Sequence, residues 1–314
     1  MTTFSLVNMH IALLTGGPGS EREVSLRSGA NVANGLRGAG AVVTEIDVRG
    51  GDFDLPPETE FAFLMIHGTF GEDGQLQAEL ERRGTPYSGE DVRGSEVAFD
   101  KILSKRAFDA AGIPTPRWEV IHAGETPKMS APLVNKAPKQ GSSVGVYLCR
   151  KPEDVAPALA KVVEFDEEIL VEQLINGLEL TVGVLGDLAL PIIMIKGSYD
   201  YERKYPWSEA AKKARQSNPQ QEEALHFCPA PITAEQTRLV QKMSLDAHRA
   251  LGLKTYSRVD LLLDAAGRAW VLEANTIPGM TESSLLPEAA LVAGITLPDL
   301  VTRIVELSLA ARPA

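Results

Sequence analysis

The sequence predicts an α/β protein whose later regions take on α+β character. Three observations carry this. In the first hundred residues, short apolar runs alternate with polar stretches of helical period, and one run, "FAFLMIHG", is apolar on both faces; such strands belong to parallel sheets covered by helices. Further on, the apolar runs become short and closely spaced, as in small antiparallel sheets. The chain's 314 residues also exceed what a single core accommodates. We expect three domains, at residues 1–94, 95–179 and 180–314.

"HIALLTGG" reads as a buried strand ending in a glycine turn, and the eight residues before Met9 as a tail or an over-long start. "EREVSLRSGANVANGLRGAG" reads as a helix stopped near Gly38 to Gly40, followed by strands at "AVVTEIDV" and "FAFLMIHG". The loops "GGPGSEREVS" and "HGTFGEDGQLQ" stand at strand ends, where function gathers in such sheets. "SEVAFDKILSKRAFDAAGIPTP" predicts one helix closed by Gly112. The second domain holds "APLVNKAP", "SVGVYLCR", a helix near 152–163 and "EILVEQLINGLELTVGVLG". The third opens with "LALPIIMIKGSYDY" as its first strand. A polar stretch from Pro206 to Leu225 follows, expected to be exposed and mobile, then a helix at about 233–251 and the strands "SRVDLLLD" and "AWVLEAN".

A formal net charge of −11 argues against a nucleic-acid partner. The two cysteines, Cys149 and Cys228, have no CxxC partner and read as reduced thiols. No run approaches the roughly 20 apolar residues of a membrane span, and no signal peptide is visible, so the expectation is a soluble cytoplasmic protein.

Two stretches carry chemistry. "KAPKQGSSVGV", Lys136 to Val146, combines two lysines, two glycines and two hydroxyls; it suits a phosphate clamp, and equally a hairpin tip. In "RVDLLLDAAGRAWVLEAN", pairing Asp264 with Ala269 across the "AAGR" turn sets Asp260 opposite Glu273, with Asn275 on the same face. Two carboxylates and an amide oxygen suit a hard ion such as Mg²⁺; the alternative is a solvated strand face, which the apolar Val259, Leu261, Leu262, Val271 and Leu272 weigh against. Mg²⁺ held by few carboxylates commonly shares its shell with substrate phosphates, so clamp and metal site together imply a nucleoside triphosphate, without a P-loop or kinase motif.

At this point the chain resembles the D-alanine–D-alanine ligases of the ATP-grasp superfamily. The matching motifs are "GGPGSEREVSL", "HGTFGEDGQLQ", "AFDK", "KQGSSVGV", "VEQLINGLELTVGVLG", "YDYERKY" and "RVDLLLD…WVLEANTIPGMTESSLLP", in the family's order from about residue 11 to 290. The resemblance implies an ATP-grasp fold and a cytoplasmic homodimer. It implies ligation of two D-alanines through a D-alanyl phosphate for peptidoglycan precursors, with ATP and two Mg²⁺ ions (or Mn²⁺) as cofactors. It places Lys101, Lys136 and Ser143 at the ATP phosphates, Glu172, Gln173, Leu174 and Ile175 at adenine, Glu179 at ribose, and Asp260, Glu273 and Asn275 at the metal. Glu21 would pair with the first D-alanine's ammonium, with Ser25 and His67 nearby. Arg258 and the Gly279 N–H would stabilise the oxyanion, and Ser284 and Leu285 would grip the second substrate. Lys204 and Tyr205 would belong to a lid loop at about 199–226, with Tyr205 bonded through Ser142 to Glu21; a tyrosine there resembles the dipeptide-forming members. Gln173 stands where the family often has lysine, "NKAP" where lysine more often precedes proline directly, and the stretch after Tyr205 is about ten residues longer than expected. The alternatives are a ligase forming D-alanyl-D-lactate or D-alanyl-D-serine, and a nucleotide sensor without catalysis.

Overall fold

The computed structural model describes residues 4–196 and 225–312. Three sheets organise it. The first is parallel, in the order β2-β1-β3, from β1 (His10–Gly16), β2 (Val42–Val48) and β3 (Phe61–Met65). Every residue of β3 is buried, as its two-faced apolar run predicts, whereas β2 is an edge strand and largely open to solvent. Helix α1 (Arg22–Gly38) crosses from β1 to β2 and ends where the glycines predict, with Gly40 at φ +92°. Residues 4–8 are not a loose tail: Leu6 lies in the core and the Asn8 N–H bonds to the Gly40 carbonyl at 2.9 Å. Helix α2 (Gln75–Arg83) follows β3.

The single helix expected after residue 94 is two, α3 (Val92–Phe99) and α4 (Lys101–Ala110). Asp100 separates them in an extended conformation, its carboxylate accepting from the N–H groups of Ile102 and Leu103. Aspartate competes for backbone donors in this way, favouring caps over helix interiors. Val97, Ala98 and Phe108 of these helices pack on the third sheet's core, not on the second sheet.

The second sheet is antiparallel, in the order β4-β7-β5-β6, from β4 (Trp118–His122), β5 (Leu133–Lys136), β6 (Val146–Cys149) and β7 (Glu168–Gln173). Helix α5 (Val155–Val162) covers it, burying Ala158 and Val162 against Leu133, Cys149 and Ile169.

The third sheet contains β8 (Gly177–Leu185), β9 (Leu188–Ala189), β10 (Ile193–Lys196), β11 (Leu225–Phe227), β12 (Tyr256–Asp264) and β13 (Ala269–Asn275), in the order β11-β10-β8-β12-β13 with β9 beside β8. β8 thus precedes the strand expected to open this region. "LALPIIMIK" is two strands, because Pro191 between them has no N–H to give a ladder. Helix α6 (Ala234–Ala250) starts with a reciprocal cap between Thr233 and Gln236. Helices α7 (Leu285–Val292) and α8 (Leu297–Ala311) carry their apolar faces into the first sheet's core, where Leu300, Val301 and Ile304 join Leu13, Leu14 and Leu64. Cys149 is buried and Cys228 half-buried, both as free thiols.

Candidate active site

The β12–β13 hairpin sets the site. Val259, Leu261 and Leu263 point into the core, and Arg258 and Asp260 share the half-buried face. Asp260 lies opposite Glu273, as the spacing predicts, but by another route. The turn pairs Leu263, not Asp264, with Ala269, because the Asp264 carboxylate is drawn off to cap the N–H groups of Ala266 and Arg268 at 2.9 Å each. A bulge at Leu272 then restores the register; without its extra residue Asp260 would face Leu272.

Cations offset the facing carboxylates. The Arg258 guanidinium reaches both oxygens of Asp260, at 3.0 and 2.8 Å, the Thr181 hydroxyl donates to Asp260 at 2.6 Å, and the Lys101 ammonium stands 3.2 Å from Glu273. Asn275 Oδ1 accepts the Ile277 N–H at 3.0 Å. No three His, Cys, Asp or Glu residues cluster among the described residues, so a cation here would take the Asn275 amide oxygen as its third ligand. Two carboxylates from adjacent strands plus an amide oxygen fit a hard divalent ion.

Facing the hairpin is a cleft open to solvent. Glu21, His67, Lys101, Ser142, Arg258, Glu273, Asn275, Gly279, Ser284 and Leu285 line it. Two chain segments converge on Glu21. The Ser142 hydroxyl donates to its carboxylate, and both Gly68 and Gly141 press on it so closely that a Cβ on either would stand 2.8 or 2.9 Å from Oε2. Ser142 and Ser143 both have positive φ, 50° and 62°, a conformation costly for serine, held while the loop delivers its hydroxyl to Glu21.

His67 is buried, and burial holds its pKa below the ordinary value despite the attraction of Glu21. Its Nδ1 lies 2.9 Å from the Ile277 carbonyl, which can only accept, so the proton sits on Nδ1. Nε2 then accepts from the Ser28 hydroxyl at 3.3 Å, and Ser28 in turn accepts the Met280 N–H at 3.1 Å. A neutral histidine thus fastens the end of β3 to the loop carrying Gly279. Ser284 caps that loop, accepting the Thr281 N–H at 2.9 Å.

Beneath the cleft lies a buried ion cluster. Glu172 is 2.6 Å from the Lys105 ammonium and 2.5 Å from that of Lys136. Burial opposes its ionisation, yet the two ammonium groups hold its carboxyl below the usual range. Burial lowers the pKa of Lys105, whose ammonium also bonds to the Thr115 hydroxyl. Thr115 donates to the Val271 carbonyl at 2.7 Å, so the cluster joins α4, the second sheet and β13.

Other expected residues stand elsewhere. The Ser25 hydroxyl is buried between the Gly16 N–H and the Met65 carbonyl, locking the ends of β1 and β3 together, and does not line the cleft. Asp260, Lys136 and Glu172 lie behind the cleft surface. Gln173 is exposed, and with Leu174, Ile175 and Glu179 it follows the path from β7 into β8; Ser143 is exposed on its loop. Lys204, Tyr205 and residues 199–224 of the loop expected to form a lid lie outside the described residues, while residues 225 and 226 belong to β11. Sequence reasoning missed Glu72, Phe99, Gln140, Thr276 and Ser283, which also line the cleft, and Lys105. Glu72 had a signal, an acid among the glycines of "FGEDG"; the others had none of their own.

Known proteins resemble this chain along nearly its whole length. Residues 108–306 match the family described as D-ala D-ala ligase C-terminus. The D-alanine–D-alanine ligase of Methylacidiphilum infernorum is 44% identical over 302 residues, covering 95% of each chain. That of Geotalea uraniireducens is 41% identical, covering 97% of each. The crystal structure of the Bacillus anthracis D-alanine–D-alanine ligase complexed with ATP superposes with a TM-score of 0.82 at 31% identity, over 97% of this chain and 98% of that one. The fold is therefore ATP-grasp, and the chain belongs to the D-alanine–D-alanine ligase family.

Proposed function

We propose that the chain condenses two D-alanines to D-alanyl-D-alanine, using ATP to convert the first carboxylate to an acylphosphate. One observation carries this reading: Glu21, from the first sheet's loop, and Ser142, from the glycine–serine loop of the second, meet in one cleft with Lys101, Arg258 and Glu273. A carboxylate is a poor electrophile, so phosphorylation must precede attack, and both substrates must lie beside the nucleotide. Such a cleft holds them in reacting geometry.

In this reading Glu21, oriented by Ser142, receives the first D-alanine's ammonium group. Its carboxylate then points toward Lys101 and the hairpin. Lys101, Lys136 and Ser143 hold the ATP phosphates, the segment from Glu172 to Ile175 lines the adenine, and Glu179 meets the ribose. Asp260, Glu273 and Asn275 hold Mg²⁺, which when bound neutralises charge on the phosphates. Arg258 and the Gly279 N–H face the oxygen that gains charge as the second amine attacks; fixed donors of this kind commonly contribute a few kcal/mol. Ser284 and Leu285 seat the second substrate at the start of α7. His67 and Ser25 act by fixing loops. Lys204 and Tyr205 close the lid. The three-part division of the chain, the homodimer, the cytoplasmic location and the supply of peptidoglycan precursor belong to the same reading. In its support, no helix among the described residues is long and apolar enough to cross a membrane.

The test is product identification after incubation with ATP and Mg²⁺ and, in turn, D-alanine, L-alanine, and D-alanine plus D-lactate. D-Alanyl-D-alanine from D-alanine alone supports the reading. Preferential formation of the ester with D-lactate would retain the mechanism and replace the second substrate. ATP binding without any product would favour a sensor.

A further inference from the structure

Glu72 has no part in the account above, yet its surroundings are built with care. It sits in the loop after β3, 6% exposed, and lines the same cleft as Glu21. The loop is locked to aim it there. Gly71 is jammed against the end of β3, where a Cβ would stand 2.0 Å from the Ile66 carbonyl. The Gln77 amide bonds to the Gly71 carbonyl at 2.7 Å, and Asp73 accepts the Phe70 N–H at 2.9 Å. Glu72 itself closes on Gly68 twice: its backbone N–H bonds to the Gly68 carbonyl at 2.9 Å, and its carboxyl accepts the Gly68 N–H at 2.6 Å.

Gly68 is therefore flanked by two carboxyl groups. Its amide holds Glu72, and its Cα faces Glu21, with φ +72° and no room for a side chain. A buried acid is costly unless something cationic meets it. The candidates on every side are few. Arg258, from β12, is near enough to favour ionisation, but both Asp260 oxygens already hold it. His67, from the end of β3, is neutral. The Ile277 amide, after β13, faces the carboxyl, and the Tyr256 hydroxyl, on β12, is fully buried. Burial first, and then the Glu21 charge, push the Glu72 carboxyl up to about 8. The cleft thus presents two carboxyl groups on either side of a glycine, and among the described residues no ion pair to a cation is made by either.

We infer that Glu72 is a second ammonium-binding residue for the first substrate, acting as a pair with Glu21; the inference rests on the ligase reading of this cleft. Burial and the Glu21 charge favour the protonated form of Glu72 when no cation lies between the two, so Glu21 is spared a like charge. When an α-ammonium group enters between them, Glu72 gives its proton to solvent and both carboxylates face the cation. The same pair sets specificity at the first position. A hydroxy acid brings no charge to balance two carboxylates and should be refused there.

The experiment is calorimetric titration of D-alanine into the enzyme with Mg²⁺-ADP at pH 7, repeated in phosphate and in Tris, whose ionisation enthalpies differ. The wild type should release about one proton more than Glu72→Gln. Glu72→Gln should also raise the KM for D-alanine at least tenfold while leaving the KM for ATP within twofold, and Glu72→Asp should recover part of the loss. Equal proton counts, or an unchanged KM for D-alanine, would overturn the inference. Dipeptide formation by the wild type checks the underlying reading separately. If the wild type ligates another amino acid, the same titration with that amino acid decides, since the pair reads the ammonium and not the side chain.

Discussion

At Gly141 a methyl group would come within 2.9 Å of Glu21 Oε2, and no unusual φ complicates the substitution. Gly141→Ala should therefore leave the fold intact and displace the Glu21 carboxylate. Misplacement on the ångström scale is costly in a reacting geometry, so kcat/KM for D-alanine should fall about tenfold or more; steady-state kinetics beside a thermal melt would check it. Glu273→Gln bears on the hairpin. It keeps the volume and removes the charge, so ATP turnover should drop below about a tenth, a metal contact being worth several kcal/mol; phosphate release measures it, and retention of more activity would contradict the metal site. Glu72→Gln should have a second, opposite effect on stability. A carboxyl whose folded pKa is raised to about 8 contributes stability fully only below its unfolded value, and loses it as pH rises through 8. The variant should melt above the wild type at pH 8, with the gap closing toward pH 5.

Among the elements, α4 shows how local chemistry places a functional side chain. Lys101 is its first residue, and the Asp100 cap fixes where the helix begins. Asp100→Ala should cost about 1 kcal/mol, a fall of about 2 °C in Tm, and should raise the KM for ATP because Lys101 loses its seat against Glu273 and the Gln140 carbonyl. The helix pair also shows where sequence reading stops. Periodicity gave the apolar stripe of both helices correctly and missed the break, because a cap inside a continuous stripe does not change its period. The hairpin failed and succeeded together. Alternation made Asp260 and Glu273 neighbours, while the turn register and the Leu272 bulge deviated by one residue each and cancelled. Lys105 was beyond such reasoning because its partner, Glu172, is distant in the chain, and Glu72 had only the faint signal of an acid among glycines, its setting beside Glu21 coming from the fold. Glu21, Lys101, Arg258 and Gly279 were legible through ordered motifs, and Ser25 was placed beside the site although its hydroxyl is spent on backbone.

Across the molecule, the first and third sheets share one apolar core, in which Leu185, Ile193 and Tyr256 meet Leu13 and Leu64, and specific polar joints add to it. The Lys105–Glu172–Lys136 cluster joins the second sheet to the third, His67 and Ser28 join the first to the Gly279 loop, and Glu90 joins α3's approach to β12 by accepting from the N–H groups of Lys254 and Thr255. Burial keeps two of the histidines neutral: His67 is lowered, and His248, against Ser257, falls to about 4. A base depressed in the fold stabilises it above the unfolded value near 6.5, and that stability is lost as pH falls through 4. Denaturant midpoints should therefore decline between pH 6.5 and 4, and His248→Gln should flatten that decline. The most direct test of the central claim, that the first carboxylate is phosphorylated before the peptide bond forms, is an isotope measurement. D-Alanine labelled with ¹⁸O in its carboxylate is turned over with ATP and Mg²⁺, and the released phosphate is analysed by mass. One ¹⁸O in each phosphate is the predicted result; dipeptide formed with unlabelled phosphate would contradict it.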